Sequence, residues 1–470
     1  MQLTKRRLGR VTQALGLLTA NLLAGAPAYA QDASGGPMDQ ASAASPAATN
    51  DDTETDLGYT RIDSAVLFYQ EAGGRVRATE PVINATLNSN SGDVLTIGLT
   101  SDILTGATPN GAAPWKQSQT FVTPAHPPST TSTVTTSSGG STLVTIPGKG
   151  IIARQYVTAP NTLPVDSGFK DQRWAVNLGY STLWDESTRL SFGGIASTET
   201  DYTSFSLNAA IAKTFNQNLT TASASVDLEY DLSRPYFGTP APFTVMSATQ
   251  KGPEASKTVA SLVIGVTQVM NRYWLAQLNY SVGATNGYQN DPYRIISVVD
   301  PTSGAPLQYV YESRPNARLR QSLYLANKIA LGPMFVDLSA RAYQDSWGIK
   351  SVTAELSDRI PLTSRFYIEP SGRYYSQTTA SFFQNYLLSG PALPRYASSD
   401  SRLGAFSAVT YGAKAGYAFT PHSELYLQVE SYKQSGAAHP AGVIPGLATE
   451  NLFSGVSATS IVVGYTFAFY

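Results

Sequence analysis

Polar and apolar residues alternate along most of the chain. Ala222, Ala224, Val226, Leu228, Tyr230 and Leu232 are separated by Ser223, Ser225, Asp227, Glu229 and Asp231. Met334, Val336, Leu338, Ala340 and Ala342 alternate with Phe335, Asp337, Ser339, Arg341 and Tyr343. Leu425, Leu427 and Val429 alternate with Tyr426, Gln428 and Glu430. Successive strand side chains point to opposite faces, so each segment has one apolar and one polar side. A soluble sandwich shares this period, but its strands average about 5–6 residues. Here the runs last about 10–15 residues, the length a tilted membrane strand requires. From Tyr59 to Tyr470 the pattern predicts about 16 strands, an even number as in bacterial barrels.

The connections follow a second pattern. Short turns fall at Asn88–Asp93, Asp185–Ser187, Asn216–Asn218, Asn271–Arg272, Gly332–Pro333, Pro361–Ser364 and Pro421–Ser423. They occupy every second connection. The others include all the long ones, at about 104–170, 235–255, 287–314, 379–402 and 435–455. Three of these outer connections, near Gly73–Gly74, Thr198–Asp201 and Ser346–Gly348, are also short. Short periplasmic turns and long extracellular loops are the asymmetry of an outer-membrane barrel. Within the long loops, Ile295–Val299 and Leu307–Tyr311 flank a turn-forming Asp300-Pro-Thr-Ser-Gly304, and Thr131–Thr136 and Thr142–Ile146 flank Ser-Ser-Gly-Gly. Both predict sheet continuing above the membrane.

The first 30 residues read as an export signal: a basic start at Lys5, Arg6, Arg7 and Arg10, an apolar stretch, then Ala28-Tyr29-Ala30. Residues 31–57 are rich in Ala, Ser, Asp, Thr and Gly and are expected to be a disordered lead-in. No later stretch has 18 uninterrupted apolar residues, so helices are not expected to cross a membrane. A closed sheet satisfies every backbone polar group in lipid and can do so instead. The last strand carries Ile461, Val463, Tyr465, Phe467 and Phe469 on one face and ends on Tyr470. This fits an insertion signal read by the barrel-insertion machinery, although its phase is shifted by one residue.

Composition narrows the chemistry. Charged residues are only 14% of the chain, with 32 Lys+Arg against 33 Asp+Glu. That balance gives no general attraction to nucleic acid. There is no cysteine, which excludes disulfides, thiolate metal sites, attached haem and thiol catalysis. The three histidines, His126, His422 and His439, lie in loops or turns without a recognisable nucleophile beside them. The loop carboxylates Asp291, Asp300 and Glu312 are candidate calcium ligands, as is the pair Asp102 and Asn110. None forms a spaced ligand ladder, and turn capping explains the same residue types. No cofactor or metal site is assigned. What the alternation does assign is an inner wall: Asp337, Arg341, Glu355, Glu369, Arg373, Lys414 and Glu430 fall on the polar face of about the eleventh to the fifteenth strands. Opposite charges there can pair across strands. They either stiffen the wall or form a constriction that selects solutes by size and charge.

Ordered motifs then become specific. Asp63-Ser-Ala-Val-Leu-Phe-Tyr-Gln-Glu71 is followed by Arg75-Val76, Glu80-Pro81, Asp102-Ile-Leu-Thr-Gly-Ala-Thr-Pro-Asn-Gly-Ala112 and Gln119-Thr-Phe121. Later come Met270-Asn-Arg272, Gly287-Tyr288, Asn290-Asp-Pro-Tyr293, Ser297-Val-Val-Asp300, Tyr311-Glu-Ser-Arg-Pro315, Asp345-Ser-Trp-Gly348 and Arg373-Tyr-Tyr-Ser-Gln377. Over about 59–470 the chain resembles the bacterial domain-of-unknown-function family numbered 3570. The resemblance implies an outer-membrane location and no established activity, and it suggests an exported redox partner.

The expectation is an all-β protein: one transmembrane antiparallel barrel over 58–470 with both ends in the periplasm and outer-membrane lipid around it. Its expected role is passage of a small solute, or attachment of an exported partner, without enzymatic chemistry. The alternative is a non-conducting scaffold for an exported redox or metal-handling system. An outer-membrane hydrolase is a third reading.

Overall fold

A computed structural model describes residues 58–124, 141–146, 151–247 and 251–469. The signal and lead-in, 1–57, lie outside the described residues, as does His126. In chain order the strands are β1 (Thr60–Glu71), β2 (Arg77–Asn88), β3 (Val94–Pro109), β4 (Gln119–Pro124), β5 (Ser141–Ile146), β6 (Ile151–Thr158), β7 (Val165–Leu183) and β8 (Thr188–Thr198). Next are β9 (Tyr202–Phe215), β10 (Thr220–Ser233), β11 (Ala255–Asn271), β12 (Trp274–Gly287), β13 (Ile295–Val299), β14 (Pro306–Tyr311) and β15 (Ala317–Leu331). The last are β16 (Met334–Asp345), β17 (Lys350–Pro361), β18 (Phe366–Gln377), β19 (Leu387–Leu388), β20 (Phe406–Thr420), β21 (Ser423–Ser435) and β22 (Ser457–Phe469). No helix among the described residues is long and apolar enough to cross a membrane.

Sixteen strands close into one barrel in the order β1-β2-β3-β7-β8-β9-β10-β11-β12-β15-β16-β17-β18-β20-β21-β22, and β22 returns to β1. All wall neighbours are antiparallel, so the order around the barrel is the order along the chain. Alternation decides which side chains point where. On β10, Val226, Leu228 and Tyr230 expose 49%, 62% and 46% of their surface. A continuous coat of exposed apolar side chains is stable only against lipid. The opposite face is concave: Arg359 on β17 reaches Glu424 on β21 at 3.7 Å. Those strands are three spacings apart, about 14 Å along the wall, and only the inside of the cylinder brings them so near.

The periplasmic turns are the short ones expected. Gly332, at φ 66°, starts the two-residue link from β15 to β16 in a conformation that an L side chain rarely adopts. Asn216, Gln217 and Asn218, with φ from 52° to 67°, turn β9 into β10; asparagine tolerates this region better than most residues.

The first loop hairpin forms where the sequence places it, but its sheet is separate from the wall. β13 and β14 do pair, but they form a separate three-stranded sheet with β19 and do not continue the wall. All five residues of β13, Ile-Ile-Ser-Val-Val, are buried. A strand covered on both faces belongs inside a packed unit, not in an extension of the barrel rim. For the second hairpin, 131–136 lies outside the described residues; β5 pairs with β6, in a third sheet with β4. The sixteen-strand wall thus carries a separately packed cap, built from the long loops on the extracellular side.

Candidate functional site

The strand register places the seven charged positions on the concave face of β16, β17, β18, β20 and β21. Arg373 Nε lies 3.0 Å from Glu355 Oε1, and these residues are register partners. Lys328 Nζ lies 3.3 Å from Asp337 Oδ1. Glu369 stands opposite Lys414, and the Lys414 ammonium lies 4.4 Å from the centre of the Tyr426 ring. Arg341 sits over Tyr324 at 5.3 Å. Glu430 accepts a hydrogen bond from Gln428 Nε2 at 2.7 Å. Each charge therefore has an opposite charge, a polar partner or a π face, as a wall with limited hydration demands.

Further residues join this wall. Arg359 covers the Tyr367 ring at 3.7 Å, and Tyr367 Oη donates to Glu424 at 2.6 Å. Asp227, Glu229 and Asp231 line the inner face of β10 and are buried, with Lys257 Nζ 3.6 Å from Asp231. Asp102, a calcium candidate by sequence, is instead paired with Arg173. All share the parity of their inward-facing strand neighbours.

Above the wall the long loops interlock. Ile295 N–H donates to Asn110 O at 2.9 Å. Tyr311 N–H donates to Thr244 O at 2.9 Å, and Ser313 and Ala397 exchange two backbone bonds of 2.9 and 2.8 Å. At their centre is a buried ionic clasp. Arg314 lies 2.7 Å from Glu312 and 2.9 Å from Asp400; all three side chains are 1% exposed. Arg402 lies 2.5 Å from Asp400 and 3.4 Å from Asp291. Arg294 is held more loosely, 3.4 Å from Asp291 and 3.9 Å from Asp400. Three guanidiniums thus face three carboxylates. Beside the clasp, Trp347 is buried edge-on against Phe382 at 5.1 Å, and Arg318 stacks on it at 4.2 Å while pairing with Asp345 at 2.7 Å.

The loop carboxylates are held by protein partners. Asp291 and Glu312 are taken by arginines, and Asp300 caps its own turn by accepting from Thr302 N–H at 3.0 Å and Ser303 N–H at 2.7 Å. Asn110 likewise accepts from Ala112 N–H at 2.9 Å and donates to Tyr156 Oη at 3.0 Å. Among the described residues, no three His, Cys, Asp or Glu are grouped to hold a metal ion. His422 lies in the periplasmic β20–β21 turn and His439 in an extracellular loop, so the two cannot act together.

The clasp has a definite pH response. Burial would raise the Asp400 carboxyl, but Arg294, Arg402 and Arg314 together hold it well below the usual carboxylate range. Its contribution is present above the unfolded value of 3.8 and is lost only as pH falls through the depressed folded value. Glu312 has the opposite sign: burial, only partly offset by Arg314, raises it above 4.5. Its proton uptake favours the folded cap as pH falls toward that figure. Hydrogen exchange in the loops is therefore expected to stay protected from neutral pH down to 4.5. Loss of protection already in mildly acidic buffer would contradict this assignment.

No curated protein matches the chain. Among solved structures, it is similar to a bacterial polysaccharide outer membrane secretin, with 7% identity and a TM-score of 0.42, over 89% of this chain and 100% of that one. It is also similar to the outer membrane protein OpdK from Pseudomonas aeruginosa (8% identity, TM-score 0.36, 88% and 100% of the two chains). A third is the ferric enterobactin receptor PfeA from Pseudomonas aeruginosa, as a mutant (10% identity, TM-score 0.40), of which this chain covers 54%. The closed sixteen-strand wall with its apolar coat makes the protein an outer-membrane β-barrel. The profile of the family described as "Protein of unknown function (DUF3570)" matches residues 24–467, and the chain belongs to that family.

Proposed function

We propose that the barrel passes a small solute across the outer membrane, with the chain supplying shape and electrostatics and no bond-making step. The observation that carries this reading is a stretch of inner wall on β15, β16 and β17 that is open to water, in contrast to the buried carboxylates of β10. The side chains of Lys328, Asp337 and Glu355 are 42%, 45% and 43% exposed, although all three lie inside the cylinder. Sixteen strands leave room for an aqueous channel. The seven charges, four acidic and three basic, would sort solutes by size more than by sign.

Purified protein in a planar bilayer is expected to show stepwise conductance. Arg373→Ala removes the partner of Glu355 and leaves the wall more acidic, so cation preference should rise. Arg341→Ala should act in the same direction. Both effects should exceed that of any substitution at His126; equal effects would remove the wall from the selectivity role.

The interlocked cap supports a second reading, a non-conducting scaffold for an exported redox or metal-handling partner. A silent bilayer, together with co-purification of a flavoprotein or cytochrome, would favour it.

A further inference from the structure

A cleft of about 280 Å³ lies within the cap, where the loops after β3, β12, β18 and β21 meet. Its walls are largely apolar, including Pro109, Ala112, Leu163, Phe383, Leu452 and Phe453. Two polar groups lining it are left over by the fold. Arg294 is 8% exposed at its side chain; its Nη1 donates to Pro109 O, while its buried Nε has no hydrogen-bond partner. Ser454 is 6% exposed, and its Oγ also has none. Buried polar atoms without partners are uncommon because each costs desolvation energy. Two on one cleft point to a missing acceptor.

We propose that this cleft binds a small ring-bearing carboxylate. The donor favours an anion: Arg402 and Arg314 approach Asp400 most closely, at 2.5 and 2.9 Å, and the Arg294 Nε–H is left with no acceptor in the fold. An anionic oxygen at its Nε gains a charge-assisted bond, and Ser454 can donate a second. The largely apolar lining suits a ring and the volume admits one: a cavity of about 150 Å³ already accommodates benzene, so this one has room for a ring, its carboxylate and some water. Gly111 lets the loop after β3 pack against β13 beside Arg294: an added Cβ would run into Ile295 O and lie 2.6 Å from Ser399 Oγ. The glycine has φ 97°, and the same Cβ would lie 2.8 Å from Arg294 Cδ. The role as an entry site rests on the solute-passage reading, but the binding does not.

The test titrates the full chain in detergent micelles with benzoate and, separately, benzylamine, by saturation-transfer NMR. Benzoate is expected to bind and benzylamine not. Ser454→Ala should weaken benzoate about fivefold, the loss of one hydrogen bond. Ala405→Phe, which fills the cleft from an exposed rim position, should weaken it by about tenfold or more. Both variants leave the clasp intact, whereas a change at Arg294 would also disturb Asp291. Benzoate binding that ignores both variants, or equal binding of benzylamine, overturns the site. Specific benzoate binding by a barrel silent in bilayers keeps the site and sinks the passage reading; conductance without benzoate binding does the reverse.

Discussion

Asp400→Ala is expected to open the cap and leave the barrel closed. The carboxylate is 1% exposed and is shared by Arg314 and Arg402, with Arg294 nearby. Without it, three guanidiniums would share Asp291 and Glu312 alone. Removing one partner of a buried ion pair costs about 3–5 kcal/mol, because the remaining charge is stranded. The cost falls on the loops 288–316 and 378–405, which the clasp joins. The wall ladders do not depend on it. Limited proteolysis should therefore cut both loops in Asp400→Ala and spare them in the parent, while heat-modifiable migration of the barrel is unchanged. Asp400→Asn, which keeps an acceptor oxygen but no charge, should fall between the two. Equal protection of both loops in Asp400→Ala would remove the clasp from the stability of the cap.

Val226→Arg should destabilise the barrel in lipid far more than Ser225→Arg. Val226 is midway along β10, beside Leu262 of β11 and Ala209 of β9, on the apolar face. An arginine there meets the bilayer centre, at a cost of about 2–4 kcal/mol for an outer-membrane barrel. Ser225 is one residue away and points into the lumen, where a guanidinium meets water and the carboxylates of β10. Folding into vesicles under urea titration should show a lowered midpoint for Val226→Arg and a much smaller change for Ser225→Arg. Similar shifts for both would mean that the two faces see the same solvent.

The wall was legible because lipid and water impose opposite demands on adjacent residues. The period of two across β10, β16 and β21 records that demand directly, and turns such as Gly332-Pro333 mark the reversals. The seven inner charges come from the same alternation. Arg359 and Glu424 escaped notice because they stand near periplasmic turns, where polar residues are unremarkable. The cap was much less legible. Its clasp joins Glu312 and Arg314 to Asp400, some 86 residues on from Arg314, and side-chain types alone do not say which loops meet. Asp291 and Glu312 therefore resembled turn caps or calcium ligands. One signal was present: Ile295-Ile-Ser-Val-Val299 has apolar residues on both faces, which marks a strand with no wet face.

Because the chain has no cysteine, single cysteines can report which face of a strand meets water. Four neighbours on β16 suffice: Leu338, Ser339, Ala340 and Arg341, each changed to cysteine and treated in lipid nanodiscs with a membrane-impermeant maleimide. A water-lined barrel predicts labelling at 339 and 341 and protection at 338 and 340. Uniform labelling, or the inverse order, would contradict it.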